Sequence, residues 1–254
     1  MSSQIIKNLA SFKDEKFTGV VTITSLRDGQ WKVYFYLGML LWTEGGSHTF
    51  RFWQRNFKLL CPQAKMKYFD RNHIYSQYSC DYYLIEMLLK KKLANRELIL
   101  SLIEQRIRGV FFDILQEEYI QQEKQEQLTI SSDSISAHNL LKSGFNLSLS
   151  PLDTLVLLSN AQEDWDTWIG KGLASCSPNR APSLKNDQEL RAQVPGIIFQ
   201  NMLRLLDGEH TLRDLAIKMN KNVFEVTCGL VPYFFKGYIG LLEIPDLPGL
   251  FIPT

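Results

Sequence analysis

The feature that most constrains this chain is a set of three short β-type segments followed at once by an amphipathic helix. The three segments are 17–26, 31–37 and 39–43. They are rich in β-branched and aromatic residues, which favour strands. Asp28–Gly29 suits a tight reversal between the first two segments, and Gly38 reverses the chain again. The sequence therefore predicts a small antiparallel β-meander that ends at Gly45 and Gly46.

The segment after the meander, 47–60, has apolar residues three or four positions apart, which predicts a helix with one apolar face. These residues are Phe50, Trp53, Phe57 and Leu60. We expect Ser47 to cap the start of the helix and the apolar face to pack on the sheet. Arg51, Arg55 and Lys58 fall on another face, which we expect to point outward.

The chain from the N-terminus to residue 186 otherwise predicts helices joined by irregular connections. Helical periodicity covers 3–12, 81–92, 95–121 and 151–168. Asp81 and Asn95 are the expected caps of two of these helices, and Pro151 is a favoured first helical residue. The remaining ranges predict a loop at 65–77, a short edge strand at 128–131, a connecting segment at 132–150 and a loop at 170–186.

The last stretch shows helix, short helix, helix and strand, which is the order of a winged-helix module. The four elements are 196–206, 212–219, 222–236 and 238–244. Thr211 and Asn222 are the expected caps, and Pro232 is expected to kink the third helix. The middle of that helix is apolar, whereas a helix that reads a DNA groove carries Arg, Lys, Asn or Gln. Packing or protein docking is therefore favoured over DNA binding for this module.

These patterns together predict an α+β protein. It consists of a small antiparallel β-meander with packed helices, followed by a helical, winged-helix-like C-terminal part. The predicted organisation is an α+β domain over 1–131, a connecting segment over 132–150, the winged-helix-like module over 151–247 and a linker-like tail over 248–254.

Composition and cysteine usage narrow the classes of partner and compartment. The chain has 28 Lys and Arg against 27 Asp and Glu, a formal net charge of +1. Because nucleic acids and anionic membranes are held by concentrated positive charge, we expect no nucleic-acid partner. The longest apolar stretch, 33–42, is far below the roughly 20 residues of a membrane span, so we expect no membrane insertion. Four well-separated cysteines without a CxxC pair predict reduced thiols in a cytoplasmic protein.

Motifs for catalysis are not found in the sequence. It contains no Walker loop, no GxSxG and no HExxH. The four histidines, His48, His73, His138 and His210, stand far apart. We therefore expect no enzyme activity, no cofactor and no metal.

The segment 31–55, WKVYFYLGMLLWTEGGSHTFRFWQR, resembles the PATAN domain of cyanobacterial PatA-type response regulators. It shows an aromatic strand, a glycine, a strand ending in Trp, paired glycines, a His, and a helix with Arg and Trp. The helical range 84–115, which contains GVFFDIL, is similar to the wider family to which PATAN belongs. LLDGEHTLRDLA at 205–216 and IPDLP at 244–248 are similar to the later part of these regulators.

The resemblance implies a non-enzymatic output of a two-component system that acts by protein–protein docking in phototaxis or type IV pilus motility. It implies a pilus motor protein, a photoreceptor or a component of a histidine kinase pathway as the partner. It also implies a receiver domain, and none is present before Thr254. Either the sequence stops at an interdomain linker, which we favour, or the protein has no receiver and signals only by binding. The oligomeric state stays open.

On this interpretation several side chains near the meander are candidates for contact with a partner. They are Tyr36, Trp42, His48, Arg51, Arg55 and Lys58. Trp42 and Trp53 are also expected to support the core. Gly45 and Gly46 serve a turn or form an anion nest. Two alternatives stay open: a DNA-binding transcriptional regulator using the winged helix, and a sensor of an anion or a cyclic dinucleotide.

Overall fold

The computed structural model describes residues 3–26, 29–77, 81–142 and 152–254. They form an α+β structure with a four-stranded antiparallel sheet, as the sequence predicts. The chain divides into two compact units. The first unit comprises 1–167 and 247–254, and the second comprises 168–246.

The helices and strands of the first unit alternate along the chain. They are α1 (Gln4–Asp14), β1 (Gly19–Thr24), β2 (Gln30–Tyr36), β3 (Met39–Gly45), α2 (Thr49–Leu60), β4 (Met66–Asp70), α3 (Arg71–Gln77), α4 (Tyr82–Lys90), α5 (Arg96–Glu123), β5 (Thr129–Ser134), α6 (Ala137–Lys142) and α7 (Thr154–Gly170), which runs into the second unit. The second unit continues with β6 (Ala181–Leu184), α8 (Asp187–Gln193), α9 (Gly196–Leu205), α10 (Leu212–Lys218), α11 (Val223–Phe235) and β7 (Ile239–Leu242). The chain then returns to the first unit with β8 (Gly249–Pro253).

The predicted β-meander is confirmed, and a fourth strand extends it. The strand order is β3-β2-β1-β5, and each neighbouring pair is antiparallel. Alternate residues of β1 and β2, such as Val21, Ile23, Val33 and Phe35, are fully buried, because successive side chains of a strand point to opposite faces. The predicted edge strand lies at the edge of the sheet, as β5, and is longer than expected.

The long helix α5 carries carboxylates that hold neighbouring elements in place. Its start is capped as predicted, since Asn95 Oδ1 accepts a hydrogen bond from the Leu98 N–H at 2.9 Å. Near its end, the buried Glu118 carboxylate accepts the backbone N–H groups of Gln4 at 3.0 Å and Ile5 at 3.1 Å. Because the first N–H groups of a helix have no partner within the helix, this carboxylate anchors the start of α1 to α5.

Two ranges expected to be irregular form a two-stranded ribbon instead. The predicted loop at 65–77 contains β4 and α3, and the predicted tail at 248–254 contains β8. The two strands pair antiparallel from Met66 opposite Pro253 to Asp70 opposite Gly249. Local periodicity gave no signal for either strand because each is paired only with a segment far away in the sequence. We call β4 and β8 together the ribbon.

Several local predictions differ from the structure or lie outside it. Helix α2 begins at Thr49 with His48 at the N-cap position, so Ser47 is not the cap. Asp81 occupies the N-cap position of α4, but its side chain makes no capping hydrogen bond. The expected connection at 132–150 contains the end of β5 and the whole of α6, and the expected loop at 170–186 contains β6. Asp28, Pro151 and residues 143–150 lie outside the described residues.

The second unit contains the predicted helices α9, α10 and α11 and the strand β7, with α8 and β6 in addition. Strands β6 and β7 pair antiparallel from Ala181 opposite Leu242. Thr211 and Asp214 form a reciprocal capping box at the start of α10, and Asn222 caps α11 by accepting the Glu225 N–H at 2.7 Å. Both predicted caps are therefore confirmed.

No helix among the described residues is long and apolar enough to cross a membrane.

The ribbon provides a test of how far the first unit depends on β8. Leu250 is fully buried, so Leu250→Ala leaves a cavity and is expected to lower the free energy of unfolding by about 2–5 kcal/mol. Phe251→Ala on the same strand removes a side chain that is 48% exposed and is expected to cost about 1 kcal/mol or less. Urea unfolding followed by tryptophan fluorescence measures both, because four of the five tryptophans lie in the first unit. Equal losses for the two variants would contradict the burial of this strand.

Candidate functional site

The candidate site is built around the junction between β3 and α2. Gly45 and Gly46 have φ values of 93° and 83°, in the region that only glycine adopts without strain. A Cβ on Gly45 would lie 2.1 Å from the Gln30 carbonyl oxygen on the neighbouring strand. The paired glycines are therefore required by the turn and by close approach to β2, which supports the first of the two interpretations given for them.

A buried arginine from α5 holds this junction. The Arg106 side chain donates hydrogen bonds to the Gly45 carbonyl oxygen at 3.0 Å and to Thr49 Oγ1 at 3.3 Å. Its guanidinium also lies over the Phe52 ring, 5.0 Å from the centroid, and 3.7 Å from an oxygen of the Asp81 carboxylate. Since a guanidinium is stable away from water only when its charge and donors are matched, these contacts make the junction a fixed unit.

The sequence contained a signal for Arg106 that its helical pattern could have revealed. The buried apolar residues of the first half of α5 include Ile99, Leu102, Ile103 and Ile107. Arg106 falls on the same face, where a cation is unexpected unless it reaches a buried acceptor. A charged residue among the apolar residues of one helix face thus indicated a buried polar contact, and the sequence analysis did not use this signal.

Glu44 is the second ionisable group near the junction. Tyr34 Oη–H donates to Glu44 Oε2 at 2.8 Å. Burial raises the pKa of the Glu44 carboxyl and Asp81 raises it further, whereas the Tyr34 hydrogen bond and the charges of Lys32 and Arg106 lower it. The net direction is upward, so the neutral form is favoured in the folded protein compared with water.

The groups that could perform covalent or metal chemistry are few among the described residues. No group of three or more His, Cys, Asp or Glu side chains in these parts of the chain could hold a metal ion. Burial raises the pKa of the Cys61 and Cys176 thiols, which lowers the fraction of reactive thiolate. In the second unit, the Asp207 carboxylate lies 2.6 Å from His210 Nδ1 and accepts a hydrogen bond from the Glu209 N–H at 2.8 Å. This arrangement is typical of a turn before a helix.

The structure buries two of the side chains that were expected as partner contacts. Trp42 is fully buried and packs against Trp53, with ring centroids 6.2 Å apart. His48 is only 7% exposed at the start of α2. Both are corrections, because a buried side chain does not present a contact surface; the expected supporting role of Trp42 and Trp53 agrees with their burial.

The other predicted contacts lie on accessible parts of the first unit. Tyr36, Arg51 and Arg55 are half-buried, and Lys58 is exposed. On α2, Gln54 lies one turn from both Arg51 and Lys58, so the three share one side of the helix. Gln54 Oε1 accepts the backbone N–H of Phe251 at 3.1 Å. The cationic side of α2 therefore runs along β8, a relation that the sequence did not reveal.

The ribbon adds two exposed aromatic rings to this cationic side. Tyr68 and Phe251 are paired across β4 and β8, with ring centroids 5.2 Å apart, and are 47% and 48% exposed. We call Arg51, Arg55, Lys58, Tyr68 and Phe251 the basic–aromatic surface.

Charge is also concentrated in this part of the sequence. Residues 51–92 contain nine Lys or Arg and three Asp or Glu, a surplus of six positive charges in a chain whose net charge is +1. The net charge of the whole chain does not show this local excess of positive charge, although it can be counted in the sequence. Four of the five residues of the basic–aromatic surface, all except Phe251, thus lie in this cationic stretch.

The raised pKa of Glu44 predicts a pH-dependent effect of removing its charge. Between the ordinary pKa of Glu and the raised pKa in the folded protein, the Glu44 carboxyl is largely ionised in the unfolded chain but largely protonated in the folded protein. The free energy of unfolding of the unchanged protein therefore falls as the pH rises through this range. Glu44→Gln has no carboxyl at this position, so its stability does not fall with pH for this reason. We therefore expect the melting temperature of Glu44→Gln to rise relative to the unchanged protein between acidic and neutral pH. Glu15→Gln, which removes an exposed carboxylate, controls for net charge; the same trend in both variants would contradict the assignment.

Comparison with known proteins identifies no protein similar to this chain. No protein-family model matches the chain, and searches of curated proteins and of solved structures likewise find no match.

Proposed function

We propose that this protein is a non-enzymatic signalling module that binds an acidic surface of a partner protein through the basic–aromatic surface. The observation that carries the proposal is the exposed Tyr68–Phe251 pair alongside the cationic side of α2. Aromatic and arginine side chains dominate the energy of protein interfaces, because they bury large areas and make directed polar contacts. Cations around such a pair steer an acidic partner and favour one orientation.

The proposed signalling role rests on the sequence resemblance to the PATAN domain. On that basis the partner belongs to a two-component pathway, such as a pilus motor protein, a photoreceptor or a histidine kinase pathway component, and the process is phototaxis or type IV pilus motility. The exposed aromatic pair and the cations of the basic–aromatic surface support a docking role of this kind. Cytoplasmic location is part of the same proposal, in keeping with the cysteine pattern of the sequence.

The docking proposal predicts that aromatic and charged changes weaken the same interaction. In a quantitative pull-down from extract of the source organism, Tyr68→Ala/Phe251→Ala and Lys58→Glu are each expected to lower recovery of the partner by about tenfold or more. Lys7→Glu/Lys124→Glu, which reverses two exposed cations elsewhere in the first unit, is the matched control and is expected to leave recovery unchanged. Undiminished recovery with the first two variants would overturn the proposal.

We further propose that the second unit is a winged-helix-like module for packing or protein docking. The order α9, α10, α11 and β7, with β6 paired to β7, supports the comparison with winged helices. The exposed residues of α11 are Glu225, Gly229, Pro232 and Phe235, and Lys236 follows directly after the helix. This set lacks the Arg, Asn and Gln side chains that read base edges, and Glu225 repels phosphate.

The alternative of DNA binding through α11 makes a different prediction. Binding driven by phosphate contacts weakens steeply as salt is added. In filter binding with mixed-sequence duplex DNA, we expect only weak retention at low salt and no difference between the unchanged protein and Lys236→Glu. Tight retention with a steep salt dependence, reduced by Lys236→Glu, would favour the DNA-binding regulator instead.

The alternative of an anion or cyclic-dinucleotide sensor at Gly45 and Gly46 has less support. The Gly45 carbonyl oxygen faces the Arg106 guanidinium, whose charge is also matched by Asp81. A bound anion would compete with Asp81 for the same cation.

A further inference from the structure

We propose that the first unit has a second binding site, a groove between α1 and α7 that accepts a basic amphipathic helix of a partner protein. The groove has a volume of about 770 Å³ and opens to solvent. Ile6 and Ala10 of α1 form one wall, and α7 forms the other. The groove is separate from the basic–aromatic surface, since it shares no residue with it.

The groove wall on α7 is the side of this helix that lies next to its buried side. Leu157, Leu158, Ala161 and Trp165 recur at helical spacing and are buried on one side. A neighbouring side, from Leu155 to Thr167, faces the groove and presents residues at the same spacing. At 1.5 Å per residue this side is about 18 Å long, enough to contact about three turns of a docked helix.

The floor and rim of the groove have different chemistry. Ile6, Ala10 and Leu155 supply apolar contacts, and Leu155 remains 46% exposed. Glu163 and Asp166 supply carboxylates, and no Lys or Arg is among the lining residues. An amphipathic helix that carries apolar residues on one side and cations at the margin matches this arrangement. An acidic helix would be repelled by both carboxylates.

A glutamine on α7 orients one of the two groove carboxylates. Gln162 Nε2 donates to Asp166 Oδ1 at 2.9 Å. Lys or Arg of a docked helix supplies positive charge to the Asp166 and Glu163 carboxylates.

The proposal is tested with a synthetic probe in a fluorescence anisotropy titration. The probe is a labelled peptide with Leu and Lys at amphipathic helical spacing. One control peptide has the same composition in scrambled order, and another replaces every Lys by Glu. The unchanged protein is expected to bind the amphipathic Lys peptide about tenfold or more tightly than either control.

Variants of the protein separate binding in the groove from attraction by net charge. Glu163→Lys/Asp166→Lys is expected to weaken binding of the probe by about tenfold or more. Glu123→Lys/Asp133→Lys changes net charge equally at exposed positions away from the groove and is expected to weaken binding far less. Ala10→Arg, which fills and charges the groove from α1, provides a second variant if the first pair does not fold in a thermal melt.

Three outcomes would overturn the proposal. They are absence of binding by the Lys peptide, equal binding of the scrambled peptide, and equal weakening by the groove variants and the matched control. None of these outcomes bears on the basic–aromatic surface, because Lys58, Tyr68 and Phe251 are unchanged in every variant.

Discussion

The arrangement of the first unit depends on the buried Arg106 guanidinium. It joins α5 to the Gly45 carbonyl and to Thr49, and the Asp81 carboxylate lies close enough to balance its charge. Loss of one partner from such a set leaves a buried charge without compensation, which is more damaging than loss of an apolar contact of similar size. The orientation of α2 and of its cationic side therefore depends on a residue that is itself inaccessible to any partner.

Local sequence patterns predicted the parts of the fold that are stabilised locally. The meander followed from β-type residues and tight turns, and the caps Asn95, Thr211 and Asn222 followed from hydrogen bonds made within three residues. The pairings of β4 with β8 and of β6 with β7 could not be predicted in this way. Each joins segments far apart in the chain, so neither strand has a neighbour in sequence that reveals its partner.

The candidate site was predicted only in part, for a related reason. The cations of α2 were identified from helical spacing, whereas Tyr68 and Phe251 become neighbours only when the ribbon forms. Trp42 was misassigned because alternation along a strand does not show which face a helix will cover, and His48 because its position at the start of α2 does not show that it is buried. Trp42 is covered by Trp53 of α2, and the irregular register between Tyr34 and Phe35 further disturbs simple alternation.

The return of β8 to the first unit has a consequence for synthesis on the ribosome. Strand β4 emerges about 180 residues before β8, with the whole second unit between them. At ordinary translation rates this interval is roughly 10–40 s. During that time Tyr68 and the open edge of β4 lack the strand that later pairs with them, and the nascent chain is exposed to chaperones and to mispairing with other unfinished chains.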